Sequence, residues 1–178
     1  MSPLEEALRA HIRDVSDFPR PGIVFKDVSP LFADAQILGA TVDAVTAHAR
    51  AAGAQYVVSA EARGFALGGA VAVAAGAGFV FARKPHKLPR ETVRVDYELE
   101  YGTDALEVHA DAMPAGARVL VHDDLLATGG TAEALCALVE KSGAVVGACS
   151  FVVELGFLGG RDRLAGREVH SLISYDAQ

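Results

Sequence analysis

The sequence predicts an α/β fold with a central, mostly parallel sheet flanked by helices. Two observations carry this. Short apolar runs, among them Tyr56 to Ala60, Phe79 to Ala82 and the stretch from Arg118, alternate with longer stretches of helical pattern. These runs are continuously apolar rather than alternating, the mark of strands covered on both faces. The chain has 178 residues, which suits one domain over residues 1–178. A domain of that length buries roughly 70% of the surface its unfolded chain exposes.

Along the chain, Leu4 to Arg13 reads as a short amphipathic helix. Asp17 to Pro30 reads as a loop punctuated by Pro19, Pro21, Gly22 and Pro30. Leu38 to Ala51 is helical in pattern and Gly53 stops it. After the Tyr56 strand, residues 64–82 carry no charge. The run is mostly Ala and Gly and is broken at Gly76 and Gly78, so it reads as a buried helix, a turn and a buried strand, not a membrane span. Arg83 to Asp96 is polar and basic and reads as a loop, and Tyr97 to Leu106 shows no clear period. Arg118 to Asp124 is a strand running into two acids, followed by a helix over Ala132 to Lys141 that Gly143 ends. Cys149 to Glu154 is a further strand, Gly156 to Gly166 holds a helical turn, and Ser171 to Ser174 is a last edge strand.

Apolar residues make up 51% and charged residues 22%, which excludes a disordered chain. Sixteen basic against 23 acidic residues give a net charge of −7, which argues against a face that grips a nucleic-acid backbone. Cys136 and Cys149 are too few for a cysteine metal site or a disulfide framework, and favour a reducing, cytoplasmic compartment. The charged opening residues contain no secretory signal.

The most informative stretch is Val119 to Thr131. An apolar strand ends in Asp123 and Asp124, a loop with Thr128, Gly129, Gly130 and Thr131 follows, and a helix begins. Ligands of open α/β sheets sit beyond the carboxyl ends of the strands. A glycine loop entering a helix there presents free N–H groups and a positive dipole end, which suits a phosphate monoester. Adjacent carboxylates repel, so they call for a cation or for donors such as a cis-diol. A sugar phosphate with bound Mg²⁺ satisfies both halves. On spacing alone the stretch reads equally well as an acidic turn before an ordinary N-cap. Neither a G-x-x-x-x-G-K-[ST] nor a G-x-G-x-x-G pattern is present.

Val119 to Thr131 resembles the phosphoribosyl-pyrophosphate (PRPP) signature of the type I phosphoribosyltransferases. Its variant, DDLLATGGT, is similar to that of the adenine phosphoribosyltransferases. Phe18 to Asp27, Glu61 to Phe65, Arg83-Lys84 with Lys87 to Pro89, and Leu99 to Gly102 also match that family in order and spacing, across roughly residues 4 to 175. The resemblance implies the type I phosphoribosyltransferase fold, with a small N-terminal hood near residues 15–35 and a flexible loop near 84–102. It implies purine salvage: transfer of ribose phosphate from PRPP to N9 of adenine, giving AMP and pyrophosphate, in a Mg²⁺-dependent homodimer.

Residue by residue, the resemblance puts Ala127, Thr128, Gly129, Gly130 and Thr131 around the 5′-phosphate, and Asp123 and Asp124 near the ribose hydroxyls and the metal. Arg63, Arg83, Lys84 and Lys87 would meet the pyrophosphate, with Arg90 and Arg94 less firmly tied to it. Charge pattern alone reads this basic stretch as a solvated loop. Glu100 would handle a proton at the adenine ring. Tyr101 would shape a lid that keeps water from the ribosyl centre. Ile23, Val24, Phe25 and Lys26 would read the base by stacking and backbone hydrogen bonds. The family's peptide before Arg63, here Glu61–Ala62, is cis. His122 stands where the family usually has an aliphatic residue, and reads as a core histidine or as a group that tunes the acid pair. A phosphoribosyltransferase for another base and a non-catalytic PRPP sensor are the alternatives. The sensor is disfavoured by the acidic charge and by a length that leaves no room for a nucleic-acid-binding domain.

Overall fold

The computed structural model describes residues 1–98 and 103–177. Its centre is a five-stranded parallel sheet of β3 (Tyr56–Ala60), β4 (Gly78–Ala82), β7 (Arg118–Leu126), β8 (Val145–Leu155) and β9 (Val169–Tyr175), in the order β4-β3-β7-β8-β9. One face is covered by α3 (Ala35–Ala51) and α4 (Arg63–Ala75) through Val45, Ala49, Val71 and Ala72, packed on Val57, Leu120 and Ala148. The other is covered by α5 (Gly130–Lys141) and by the antiparallel pair β5 (Thr92–Glu98) and β6 (Thr103–His109). There Val58, Val119, Val121 and Phe151 meet Leu106, Val108, Leu135 and Leu138. Strands sandwiched in this way have no solvent face, which is why they read as unbroken apolar runs.

The glycine- and alanine-rich stretch forms α4, a left-handed cap at Gly76 (φ 73°) and β4, as its composition implies. Gly64 and Gly68, one turn apart, let α4 lie directly on β3. A Cβ at Gly68 would come within 2.3 Å of Ser59 Oγ and 2.7 Å of the Phe79 ring. No helix among the described residues is long and apolar enough to cross a membrane. α3 starts three residues earlier than its apolar period suggests, because Asp34 caps it by accepting from the N–H groups of Gln36 (2.9 Å) and Ile37 (3.0 Å).

Two segments read as loops are partly regular. Within the N-terminal region, β1 (Arg13–Ser16) pairs antiparallel with β2 (Val24–Asp27), and α2 (Ser29–Ala33) follows. The punctuating residues Pro19 and Gly22 lie in the turn between these strands, and Pro30 sits in the first turn of α2, where a missing N–H costs nothing. The strands themselves are four residues each and of mixed polarity, so they leave no periodic trace. The stretch from Arg83 to Asp96 is a loop only as far as Glu91, since β5 begins at Thr92. Val93 and Val95 turn toward the core while Arg94 and Asp96 stay outside. The preceding basic residues masked this short alternation. Leu99 to Gly102, with Glu100 and Tyr101, lie outside the described residues.

Replacing Gly68 by Ala should force α4 away from β3 and lower stability by about 1–3 kcal/mol, the usual range for overpacking. Urea unfolding followed by circular dichroism measures this, and an unchanged midpoint would contradict the close packing of helix on strand.

Candidate active site

The carboxyl ends of β3 and β7 open into a cleft floored by the acid pair. β7 continues through both acids to Leu126, and Ala127, Thr128 and Gly129 then turn the chain into α5. Gly129 occupies the N-cap position with φ 85°. An L side chain strains there, and glycine brings no side-chain acceptor, so the first-turn N–H groups have no side-chain cap. Arg63 and residues 123–132 line a cavity of about 170 Å³ here. A second cavity of about 360 Å³ adjoins it, lined by residues 60–63, Lys84, Tyr97, Leu106, Asp123, Asp124 and Thr131. Together these hold the sequence-predicted Arg63, Lys84, Asp123, Asp124 and the whole loop Ala127 to Thr131.

The burial cost of two neighbouring acids is met in two ways. Asp124, only 2% exposed, accepts from Arg63 Nε at 2.6 Å. Asp123 instead accepts from the Asp124 N–H at 2.9 Å, and burial first, then the neighbouring Asp124 charge, push its carboxyl well above the ordinary carboxylate range. The floor thus offers carboxyl oxygens to the hydroxyls of a polyol. Arg63 follows directly on Glu61–Ala62, which is cis as the resemblance implies. Its guanidinium stays half open to solvent and lies 5.9 Å from the Phe25 ring centroid. Phe25 packs edge-on against Phe18 at 5.1 Å. The β1–β2 hairpin carrying Ile23, Val24 and Phe25 therefore reaches Arg63 through Phe25.

Lys26 departs from the expected arrangement. Its side chain is buried, donates from Nζ to Asp14 Oδ1 at 2.7 Å and lies 4.5 Å from the Tyr175 ring centroid. Strand alternation turns it to the face opposite Phe25. Lys87 joins the site through its carbonyl, which accepts from Arg83 Nη1 at 3.2 Å.

The cations are held by carboxylates that the sequence did not single out for this purpose. Glu61 accepts from Arg83 Nη2 at 3.0 Å and from the Lys84 N–H at 2.5 Å. Desolvation opposes its ionisation, but these donors outweigh it and lower its pKa. Asp104 accepts from Lys84 Nζ at 2.6 Å. Tyr97 stands opposite Asp104 in the hairpin register and projects into the same cavity. The Val-Arg-Val-Asp-Tyr alternation was the one signal that could have found it. Arg90 pairs with Asp111, and Arg94 with Asp96 at 2.7 Å, both exposed, so neither belongs to the cleft wall.

His122 is a core residue. It is fully buried and donates from Nδ1 to the Ser150 carbonyl at 2.9 Å. Burial pushes its pKa down to about 4, so the ring is neutral at pH 7.

Residues 39–174 match the phosphoribosyl transferase domain family. The chain is 58% identical to an adenine phosphoribosyltransferase of Rubrobacter xylanophilus, covering 96% of this chain and 92% of the relative. The chain belongs to the adenine phosphoribosyltransferase family. An Anaeromyxobacter member is 54% identical, covering 98% of this chain and 99% of its own. The crystal structure of the family member from Thermoanaerobacter pseudethanolicus superposes with a TM-score of 0.92 at 45% identity, covering 96% of this chain and 99% of that one. The member from Saccharomyces cerevisiae, solved in complex with an imino-altritol bisphosphate and adenine, gives 0.92 at 37% identity, covering 97% and 100%.

The neutral His122 sets a pH dependence of stability. Below the ordinary imidazole value of 6.5 the unfolded chain takes up a proton that the folded chain refuses until about pH 4. Stability should therefore fall by about 3 kcal/mol as pH drops from 6.5 to 4, counting this group alone. Urea unfolding across that window should show a flatter acid limb for His122→Leu, and parallel profiles for the two proteins would contradict it.

Proposed function

We propose that the chain transfers the 5-phosphoribosyl group of PRPP to N9 of adenine, releasing pyrophosphate and AMP. The uncapped amide loop from Ala127 to Thr131, set beside a paired acid floor in a member of this family, is the observation that carries the reading. The loop takes the 5′-phosphate through its N–H groups and the Thr128 and Thr131 hydroxyls. The carboxyl groups of Asp123 and Asp124 hold the ribose hydroxyls.

Departure of pyrophosphate concentrates negative charge on the leaving oxygens, and Arg63, Arg83, Lys84 and Lys87 neutralise it. Arg83 and Lys84 are already oriented by Glu61 and Asp104, so they reorganise little when the polyanion arrives. Phe25 stacks on the base, and the extended backbone of Ile23, Val24 and Lys26 reads the adenine amino group by hydrogen bonds. Lys26 acts through its main chain, because its amine is held by Asp14. Glu100 takes at N7 the proton that adenine must lose as N9 bonds to the ribose carbon, and Tyr101 closes the lid.

No cluster of three or more His, Cys, Asp or Glu side chains that could hold a metal occurs among the described residues. The donor set nevertheless fits a Mg²⁺ ion whose oxygen ligands come chiefly from PRPP and water, with Asp123 and Asp124 at its edge. Bound there, the ion would offset charge on the pyrophosphate. We assign the enzyme to the cytoplasm on its two free, buried cysteines, Cys136 and Cys149. A homodimer suits the edge strand β4, where Phe81 is half exposed within a cluster with Phe65 and Phe79 beside Arg83.

Incubation with adenine, PRPP and Mg²⁺ should release pyrophosphate and form AMP, with hypoxanthine, guanine and orotate left unused. Turnover of another base in place of adenine would overturn the specificity, and no turnover of any base the reaction. Glu100→Gln should lower kcat by about 10²-fold or more, the typical worth of a positioned general base, with KM for PRPP little changed. Steady-state kinetics measures both, and an undiminished kcat would remove Glu100 from the proton transfer.

A further inference from the structure

The segment between β8 and β9, residues 156–164, forms two short 3₁₀ turns and touches the phosphate loop at one point. That point is backbone against backbone. A Cβ at Gly160 would lie 2.1 Å from the Ala127 carbonyl oxygen and 2.9 Å from the Gly129 nitrogen. In the reverse direction, a Cβ at Gly129 would lie 2.4 Å from the Gly160 carbonyl oxygen. Neither contact involves a flexible side chain that could swing aside. Gly160 does not adopt a positive φ, so its own conformation does not call for glycine. The requirement for glycine comes from the loop it presses on.

Two anchors fix the segment on either side of the contact. Leu164 is buried in the core beneath α5. Arg161 binds Glu154 through Nε at 2.8 Å and Nη2 at 2.5 Å, and donates from Nη1 to the Val169 carbonyl at 3.0 Å. Glu154, at the end of β8, is buried and also accepts from Ser171 Oγ at 2.7 Å. A two-toothed pair to a buried carboxylate on the sheet is a rigid mount. The first turn of α5 is tied to the same segment by Arg163 and Glu133 at 3.0 Å.

We propose that Gly160 is a positioning residue for the 5′-phosphate. It touches no substrate. Mounted on the Glu154–Arg161 pair, it presses against the loop from Ala127 to Gly129 and fixes the curvature at which the loop's N–H groups converge. This rests on the loop being the phosphate site, as proposed above. A displacement of even one ångström there misaligns several N–H donors together, and such errors cost a large factor in binding.

The test uses the full chain and ribose 5-phosphate as probe. In Gly160→Ala, calorimetry should show its Kd raised about tenfold or more. KM for PRPP should rise in step while KM for adenine stays unchanged. Gly159→Ala is the control: Gly159 has φ 66°, and its Cβ would meet only Asp162 Oδ2, at 3.5 Å. It should lower the unfolding temperature without moving the ribose 5-phosphate Kd. Should Gly160→Ala fail to fold, Glu154→Gln decides, since it loosens the mount without adding an atom to the contact. It should raise the same Kd by a smaller factor. Wild-type Kd in the folded Gly160→Ala chain, or in Glu154→Gln should that chain not fold, would overturn the assignment of Gly160, as would an equal loss toward adenine and PRPP. If the unaltered chain binds no ribose 5-phosphate and releases no pyrophosphate, the reading of the loop fails and the role of Gly160 falls with it.

Discussion

The cleft depends on how one arginine and two adjacent acids share a low-dielectric floor. A strand that ends in two carboxylates is unfavourable to bury, because each charge loses hydration and repels the other. Here Arg63 compensates the Asp124 charge, and Asp123, its carboxyl pushed toward the neutral form, accepts from the Asp124 N–H. Arg63 can do so because it opens α4 directly beside the end of β7. The glycines of α4 matter to the same point: Gly64 lies so close to the floor that a Cβ there would come within 2.8 Å of Asp123 Oδ1. Helix packing and acid chemistry are thus one constraint, set where β3, α4 and β7 meet.

Around this floor the parallel sheet distributes tasks by topology. Its carboxyl edge delivers the loop before α5 and the turn before α4 to one place, although they lie far apart in the chain. The antiparallel pieces lie beside it: β1–β2 brings Phe25 to Arg63, and β5–β6 lines the second cavity with Tyr97 and Leu106. Buried parallel strands supply a rigid platform, and shorter hairpins supply surfaces that approach the cleft from outside.

The parts legible in the sequence were those whose cause is local. Continuous apolar runs, Gly76 as a stop and the glycines after Asp124 each report a nearby backbone requirement, so the sheet, its helices and the glycine turn before α5 could be read directly. What stayed hidden was tertiary. Glu61 and Arg83 are 22 residues apart, and nothing in either neighbourhood announces their pairing. Lys26 is legible as a cation but not as one turned away from the cleft, since a one-residue step along a strand reverses the face. Gly160 looks like any loop glycine until the chain is folded against it. The β1–β2 hairpin is too short and too mixed in polarity to betray itself.

The carboxylates that grip the cleft's basic groups have a consequence for selectivity by valence. Glu61, Asp104 and Asp124 act as resident counter-ions, tethered to the chain and hence at high local concentration. A lone chloride or bicarbonate would have to evict one of them for a single contact in return. A species bearing several charges, spaced to engage the remaining donors of several basic groups at once, gains more contacts than a monovalent solute can while the carboxylates stay in place.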